Sequence, residues 1–475
     1  MDPENQAVPP DEKTKDSPSV SLDASEDPLC FSFFKKWLAV AVISAGSFCV
    51  TCASSVASFT EHGMAREFHV SREATILSIS LFVLGLGVGP LITGPFSEVY
   101  GRAIVYRLSY LLMVVFSFPV IFAPDLAVVL VFRFLLGACG ASFLSVAGGS
   151  VADMFSNDKV ATPMAFYTLS PFLGPVFGPL ISGFINQNLD WRWTYRILLI
   201  WTFGELVAIF LLVPESYAPV LLKRKARRLR KTTGDDSYWA PLDRRTTSIT
   251  RSLLLSCYTP FKLLTFDRMA LLLDIWTALL LGILYLTFQA FPLIFEDVHH
   301  FNVQTTGLTF LGIGIGMAAA LATQPLWNRL YNREANKYGG KAPPESHLLM
   351  GQLGGILVPL ALYWLAFTTY PSVHWVVPII ASVPFGSGVF FVFTSTFTYL
   401  VTAYRPIAAS AMAANSALRS VFAAAFPLFA GAMYDRLGTV GATALLAGLT
   451  TIMAPLPFIF HRIGPRLRAK STFAV

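Results

Sequence analysis

The sequence predicts an all-α membrane protein, and three observations carry that prediction. Of its 475 residues 54% are hydrophobic and only 13% are charged, about half the charge of an ordinary soluble domain. Mean hydropathy is +0.59. Apolar runs long enough to cross a ~30 Å hydrocarbon layer as helices recur along the whole chain. The 40 Phe, nine Trp and 16 Tyr exclude a disordered polymer. No Gly-X-Y period is present, which excludes a collagen-like fibre.

The elements follow in chain order. Residues 1–36 are polar and Pro-rich, with Asp2, Glu4, Asp11, Glu12, Asp16, Asp23, Glu26 and Asp27 against Lys13, Lys15, Lys35 and Lys36. They read as a disordered acidic cytosolic tail, the opposite of the basic start and apolar core of a secretory signal. Twelve spans are expected near 37–60, 76–96, 104–122, 126–152, 162–184, 196–214, 269–295, 305–327, 349–370, 375–401, 407–430 and 440–460. The largest interruption, 215–268, divides them into an N-terminal six-helix bundle (37–214) and a C-terminal one (269–461). Residues 462–475 form a short basic cytosolic tail.

The 35 basic residues orient the chain. Placing the N-terminus in the cytosol puts 27 of them in cytosolic tails or loops and leaves four outside, Arg66, Arg72, Arg192 and Arg436. The run Lys223-Arg-Lys-Ala-Arg-Arg-Leu-Arg-Lys231 makes 215–268 a basic cytosolic central loop. Beside a membrane such a run faces anionic lipid heads, so the net charge of +7 is an orientation signal and not a nucleic-acid footprint. Cys49 and Cys52 form a C-x-x-C with no second pair, inside an apolar run, and read as small packing residues and not as a metal site. No Walker P-loop is present, which disfavours ATP drive.

Several stretches carry more specific information. Gly94-x-x-x-Glu98-x-x-Gly101-Arg102 follows the second span, and a faint echo, Gln324-Pro-Leu-Trp-Asn-Arg329, follows the eighth. Arg133-Phe-Leu-Leu-Gly137 lies in the fourth span and Gly174-Pro175-Val-Phe-Gly178-Pro179-Leu-Ile-Ser-Gly183 in the fifth. Asp190-Trp-Arg-Trp193, Pro214-Glu-Ser-Tyr-Ala-Pro219 and Ala411-Met-Ala-Ala-Asn415 with Arg419 complete the set. From about residue 36 to 465 the chain resembles the major facilitator superfamily, and within it the fungal twelve-span drug:proton antiporters. That resemblance implies the major facilitator fold, with 12 transmembrane helices in two pseudo-symmetric six-helix bundles.

The resemblance also implies roles. Glu98, Gly101 and Arg102 match a loop that latches and releases as a carrier changes face. Val99 and Ala103 replace its usual basic residues, and a plain tight turn is the alternative reading. Arg133 matches an arginine implicated in proton coupling. Gly174, Pro175, Gly178, Pro179 and Gly183 match the antiporter motif of the fifth helix. Physically, the two prolines disturb the helical ladder and the glycines permit close helix approach.

Ionisable residues inside spans are costly, ~2.5–3.5 kcal/mol at mid-bilayer. Arg107 and Asp274 lie near span ends and read as snorkelling groups. Arg133 and Arg419 lie two or three turns deep. Arg419 reads as a ligand anchor with Asn415 one turn before it, or as a structural bond to backbone carbonyls. Glu205 is the acid nearest a span centre, either a proton carrier or a neutral scaffold residue. Ser44, Ser47, Thr51, Ser55 and Ser58 share one helical face. By superfamily analogy Thr51, Ser55, Tyr285, Gln289, Asn415 and Arg419 line a substrate cavity, although hydroxyl stripes serve equally as helix–helix glue.

The expected function is therefore export of a small organic molecule, such as an organic acid, secondary metabolite or drug, in exchange for protons by alternating access. A proton symporter for uptake and a non-transporting membrane sensor are the alternatives. No cofactor, metal or nucleic acid is expected, nor any enzymatic reaction. The expected state is a monomer in the plasma membrane, with both termini cytosolic; a vacuolar membrane would give the same pattern. Two deep arginines against one deep acid lean the substrate towards a neutral or anionic solute, an organic acid or amphiphilic metabolite, over a polycation.

Overall fold

A computed structural model describes residues 20–469 apart from 24, 157–158, 236, 245–248, 338–342 and 405–406, together with residue 471. The long elements among the described residues are all helices. In order they are α1 (Phe33–Phe59), α2 (Arg72–Tyr100), α3 (Arg102–Ile121), α4 (Leu126–Met154), α5 (Thr162–Asn188) and α6 (Arg192–Leu212). The second set is α7 (Arg268–Val298), α8 (Val303–Lys337), α9 (Pro344–Ala366) and α10 (Val376–Ala403). A last helical stretch, Ala408–Arg468, breaks at Gly438, whose φ of +70° is not helical. The break separates α11 (408–437) from α12 (439–468), so the chain crosses twelve times.

Local chemistry sets the ends. Ser32, Ser71, Asp125 and Asp267 cap α1, α2, α4 and α7 by accepting from backbone N–H groups of the first turn. Gly101 turns α2 into α3 at φ +102°, and a Cβ there would also collide with Glu215. The long, exposed side chains of α3 and α6, among them Val115, Phe203 and Leu211, form the outer apolar face of a bundle solvated by lipid.

Residues from Ala39 to Val213 make one hydrophobic core. A second core is drawn mainly from α7 to α12, with Ala57, Phe59, Ile79, Val83, Phe172 and Val176 joining it from the first half. An even number of crossings puts both ends of the chain and the central segment on one side, here the terminal side; the opposite is the far side.

The central segment is more ordered than a loop. It holds helices Ala218–Thr233 and Ile249–Phe266 with a 3₁₀ turn, Pro241–Arg244, between them. Within the stretch expected to be a disordered tail, 1–19 lie outside the described residues. Val20, Asp23 and Glu26 instead dock on this segment: Lys225 Nζ lies 2.6 Å from Asp23 and 2.9 Å from Glu26, and Val20 N–H donates to Trp239 O at 3.4 Å. Opposite charges at close range explain the correction. The tail expected at 462–475 likewise begins as helix, with Arg468 paired to Glu345 at 2.8 Å.

Candidate functional site

The α2–α11 seam between the two halves is closed on the far side and opens on the terminal side, while α5 and α10 stay in contact. The face of α2 that repeats every seven residues shows it. Ser80 Oγ donates to Ala424 O of α11 at 2.6 Å. At Gly87 an added Cβ would meet Ser420 of α11 at 2.6 Å. One heptad further, a Cβ added at Gly94 would meet nothing within 4 Å outside its own helix among the described residues. The α5–α8 seam closes on the far side as well, where a Cβ on Gly183 would meet Val303 O at 2.8 Å and Gly307 Cα at 3.4 Å. On the terminal half, Phe172 of α5 reaches across to Phe390, Phe393 and Phe397 of α10.

Next to that aromatic group lies a polar cluster. Asp274 is 0% exposed and its Oδ1 accepts from Asn415 Nδ2 at 2.8 Å. The same amide donates to Thr277 Oγ1 at 2.8 Å. Arg419, one turn beyond Asn415, stacks over Phe393 and Phe397 at 5.4 and 4.8 Å. Asp274 Oδ2, Asn415 Oδ1 and Arg419 Nε are buried with no partner. Asp274 is thus no snorkelling group: the start of its helix is sealed by Tyr404, which donates to Asp267 at 2.8 Å, and by Ser471. Asn415 serves Asp274 before any ligand.

Arg133 is different. Nε donates to Ser78 O at 3.0 Å, Nη1 to Ala53 O at 2.8 Å and Nη2 to Ser54 O at 3.4 Å. Its guanidinium also faces the ring of Phe82 at 4.3 Å. Ala53 and Ser54 sit where the α-helical part of α1 gives way to the 3₁₀ turn Val56–Phe59, which frees their carbonyls. Arg133 holds a bend, with each of its three nitrogens bonded to a carbonyl and no acid bonded to it among the described residues.

A second polar group closes the far side. Glu61, in the short helix Glu61–Phe68, is 0% exposed. Gln289 Nε2 of α7 donates to its Oε1 at 2.6 Å, and Arg72 Nε pairs with its Oε2 at 3.4 Å. Arg72 Nη2 also donates to Gln289 Oε1 at 3.5 Å. Burial pushes the Glu61 carboxyl up to about 7, against the lowering effect of Arg72 and of Gln289. Nearby, Ser54 and Tyr285 share a hydrogen bond of 2.6 Å across the halves. A cavity of about 260 Å³ opens beside this group, lined by His62, Arg66, Arg72, Asp190 and Glu296 among others. Tyr285 and Gln289 therefore tie the halves together. Glu61 went unrecognised in the sequence because it lies outside any apolar run; the signal available was an acid one residue past a hydroxyl-striped span.

The remaining expected residues are distributed as follows. Thr51 and Ser55 are buried in the α1–α5 seam and bond to carbonyls of their own helix. Gly174 and Gly178 press directly on them, so this face is helix contact and not open cavity. Pro175 and Pro179 lie within α5, which continues through both. In the loop after α2, Arg102 pairs with Asp153 at 3.2 Å and bonds Ser97 at 2.6 Å, and its N–H donates to Glu215 at 2.8 Å. Its ion pair is with Asp153 and not with Glu98. Glu205 faces Cys49 of α1 within the first half, its Oε1 buried without a partner, away from the seam.

A sequence profile described as Major Facilitator Superfamily matches residues 43–427. The chain is 52% identical over 396 residues to "Efflux pump atB" of Aspergillus terreus, covering 82% of this chain and 83% of that protein. It is 41% identical to "Probable drug/proton antiporter YHK8" of Saccharomyces cerevisiae, covering 93% and 86% of the two. Among solved structures, the xylose transporter XylE from E. coli, in a partially occluded inward open conformation, aligns with a TM-score of 0.62 at 14% identity. That alignment covers 90% of this chain and 98% of XylE. The twelve helices in two halves, the seam between them and these matches agree: the chain belongs to the Major Facilitator Superfamily, among its fungal efflux transporters.

Proposed function

We propose that the chain exports a small organic molecule in exchange for protons, with the proton gradient as its sole energy source and no resident cofactor. The observation that carries this reading is the series Ser80, Gly87, Gly94 on α2, which meets α11, touches it and then leaves it. A seam closed at one end and parted at the other is one of the two faces that alternating access requires. The names of the relatives supply the direction and the counter-ion.

The orientation belongs to the same proposal. The basic face of Ala218–Thr233, with Arg224, Arg227, Arg228 and Lys231 exposed, suits an anionic cytosolic leaflet. The terminal side is then cytosolic and the parted seam faces inward, in a plasma membrane, with the monomer as the working unit. Glu98, Arg102 and Asp153 act as the terminal-side latch, and Gly174 to Gly183 as the flexing contact of α5. The substrate reading shifts with the structure. Arg133 is bonded to carbonyls, so the charges on the terminal half of the seam are Asp274 and Arg419, which balance. A neutral amphiphile with a hydrogen-bond donor fits that balance better than an organic anion.

The test is transport by the purified chain in sealed proteoliposomes with an imposed pH gradient. Benzoate, cycloheximide and rhodamine 6G serve as anionic, neutral and cationic probes. The expected result is proton movement on adding the neutral probe, with probe flux opposite to the proton. Flux in the same direction as the proton makes the chain an uptake symporter. Absence of flux and of proton movement for all three, in folded protein, overturns the transport reading.

A further inference from the structure

Three buried, partnerless polar atoms around one carboxyl are the least explained feature of the seam. A cluster built only for stability satisfies its members, because each unsatisfied group in a low-dielectric interior costs free energy. Arg133 shows that this chain can do so, with its donors on three carbonyls. Asp274 does not follow that pattern. It accepts one neutral hydrogen bond, and its second oxygen faces no donor. Asn415 presents a second acceptor with no donor, its Oδ1. One proton on Asp274 Oδ2 supplies a donor where both atoms lack one, since a carboxylic acid gains an O–H. When that proton leaves, Arg419, with Nε free of partners and no ion pair within 4.0 Å, is the cation one turn away.

We infer that Asp274 is the proton-binding carboxyl of this transporter, exchanging between a neutral acid held by Asn415, whose amide Thr277 steadies, and a carboxylate attracted to Arg419. The inference rests on the proton-coupled reading above. The step is a proton transfer alone: Oδ2 gains or loses one proton to water, and no other covalent bond changes. The titratable groups facing Asp274 are Asp267 at the start of its own helix, Tyr404 at the end of α10 and Arg419 on α11. A substrate donor competes with the proton for the same carboxylate, which is what obligatory exchange requires, and an anion drawn to Arg419 would not compete. The position also explains the aromatic group: Phe393 and Phe397 cover Arg419 on the side where Phe172 bridges the halves.

Two readouts test this. The first needs no substrate: infrared difference spectra of the purified chain between about pH 5 and pH 9, a window that brackets shifted carboxyls. Wild type is expected to show a protonated-carboxyl C=O component that Asp274→Asn lacks and Glu205→Gln keeps. Identical spectra for wild type and Asp274→Asn overturn the proposal. The second uses whichever of the three probes wild type moves. Asp274→Asn is expected to lose pH-gradient-driven accumulation at least ~10-fold, the scale of a site-to-site coupling, while keeping probe counterflow. Retained proton-driven accumulation overturns the proposal, and so does loss of counterflow with coupling, which marks a structural role. Asp274→Glu, which keeps the carboxyl, is expected to remain coupled and covers the case in which the Asn variant fails to fold; an uncoupled Glu variant that still exchanges probe counts against the assignment. A wild-type chain that moves no probe overturns the transport reading, and the infrared comparison then decides the proton site by itself.

Discussion

Arg133 illustrates how one residue type carries two different meanings. From the sequence it is a deep arginine in a span, and depth argues for a cavity or a partner. The partners turn out to be the carbonyls of Ser78, Ala53 and Ser54, groups that a one-dimensional reading cannot place beside it. Hydrogen bonds from a charged donor are worth about 1.5–3 kcal/mol each against an unsatisfied alternative. Arg133→Ala removes them and leaves the α1 bend without donors, so melting of the purified protein should fall sharply and transport should fall with it. Arg133→Lys, with a compact ammonium that cannot span three carbonyls, should lie between. An Arg133→Ala protein that melts like wild type but has lost coupling would return this residue to the proton pathway. At the same scale, Asp274 and Arg419 stood out as charged residues in spans, but only the fold shows that Asn415 lies against Asp274 and that Arg102 chooses Asp153.

The elements were the most legible part, because apolar length is written locally. The expected spans overlap the observed helices, and Gly101, which marks a tight turn in the sequence, has a φ of +102°. What the sequence hid was order in the polar parts. The helices of the central segment and the docking of Asp23 and Glu26 on Lys225 depend on charge pairing between segments about two hundred residues apart, and no local period records that. The fifth helix shows the intermediate case. Its glycines announced close packing, and the structure adds the partner: a Cβ at Gly178 would sit on Ser55 Oγ, 2.8 Å from Cys52 O and 2.9 Å from Val56 N. Two of those three neighbours are backbone and cannot rotate away. Gly178→Ala should therefore destabilise the protein by about 1–3 kcal/mol, the scale of overpacking, read as a lowered melting temperature. Ser55→Ala in the same chain should recover only part of the loss. Full recovery would mean that the side chain alone sets the α1–α5 distance.

For the whole molecule, the question is what sets the balance between the face seen here and its opposite, and Glu61 is placed to do it. It is buried where the halves meet on the far side, and Gln289 of the second half donates to it. In that closed form burial holds its carboxyl at about 7; once the seam opens to water it returns towards an ordinary glutamate, ~4.3. The closed form thus binds the proton more tightly. Closure is fully favoured below the ordinary value and loses that contribution as far-side pH rises through about 7. The equilibrium should move by a factor on the order of 10²–10³ at most over the window. Arg72, Arg66, His62, Asp190 and Glu296 share the cavity, so the Glu61 share must be isolated by substitution. Gly94 provides the reporter, because a side chain added there meets nothing outside its own helix in this conformation. A Gly94→Cys chain, with Cys30, Cys139 and Cys257 changed to Ser, is labelled from the terminal side with an impermeant maleimide. The pH there stays constant while only the far-side pH varies. Labelling should quicken as the far side is acidified, and Glu61→Gln, neutral at every pH, should flatten that response. If the far side is the outside of the cell, external acid then drives the carrier to the inward face, the direction in which an exporter exchanging substrate for protons must return. A response unchanged in Glu61→Gln would assign the balance to the other groups of the cavity.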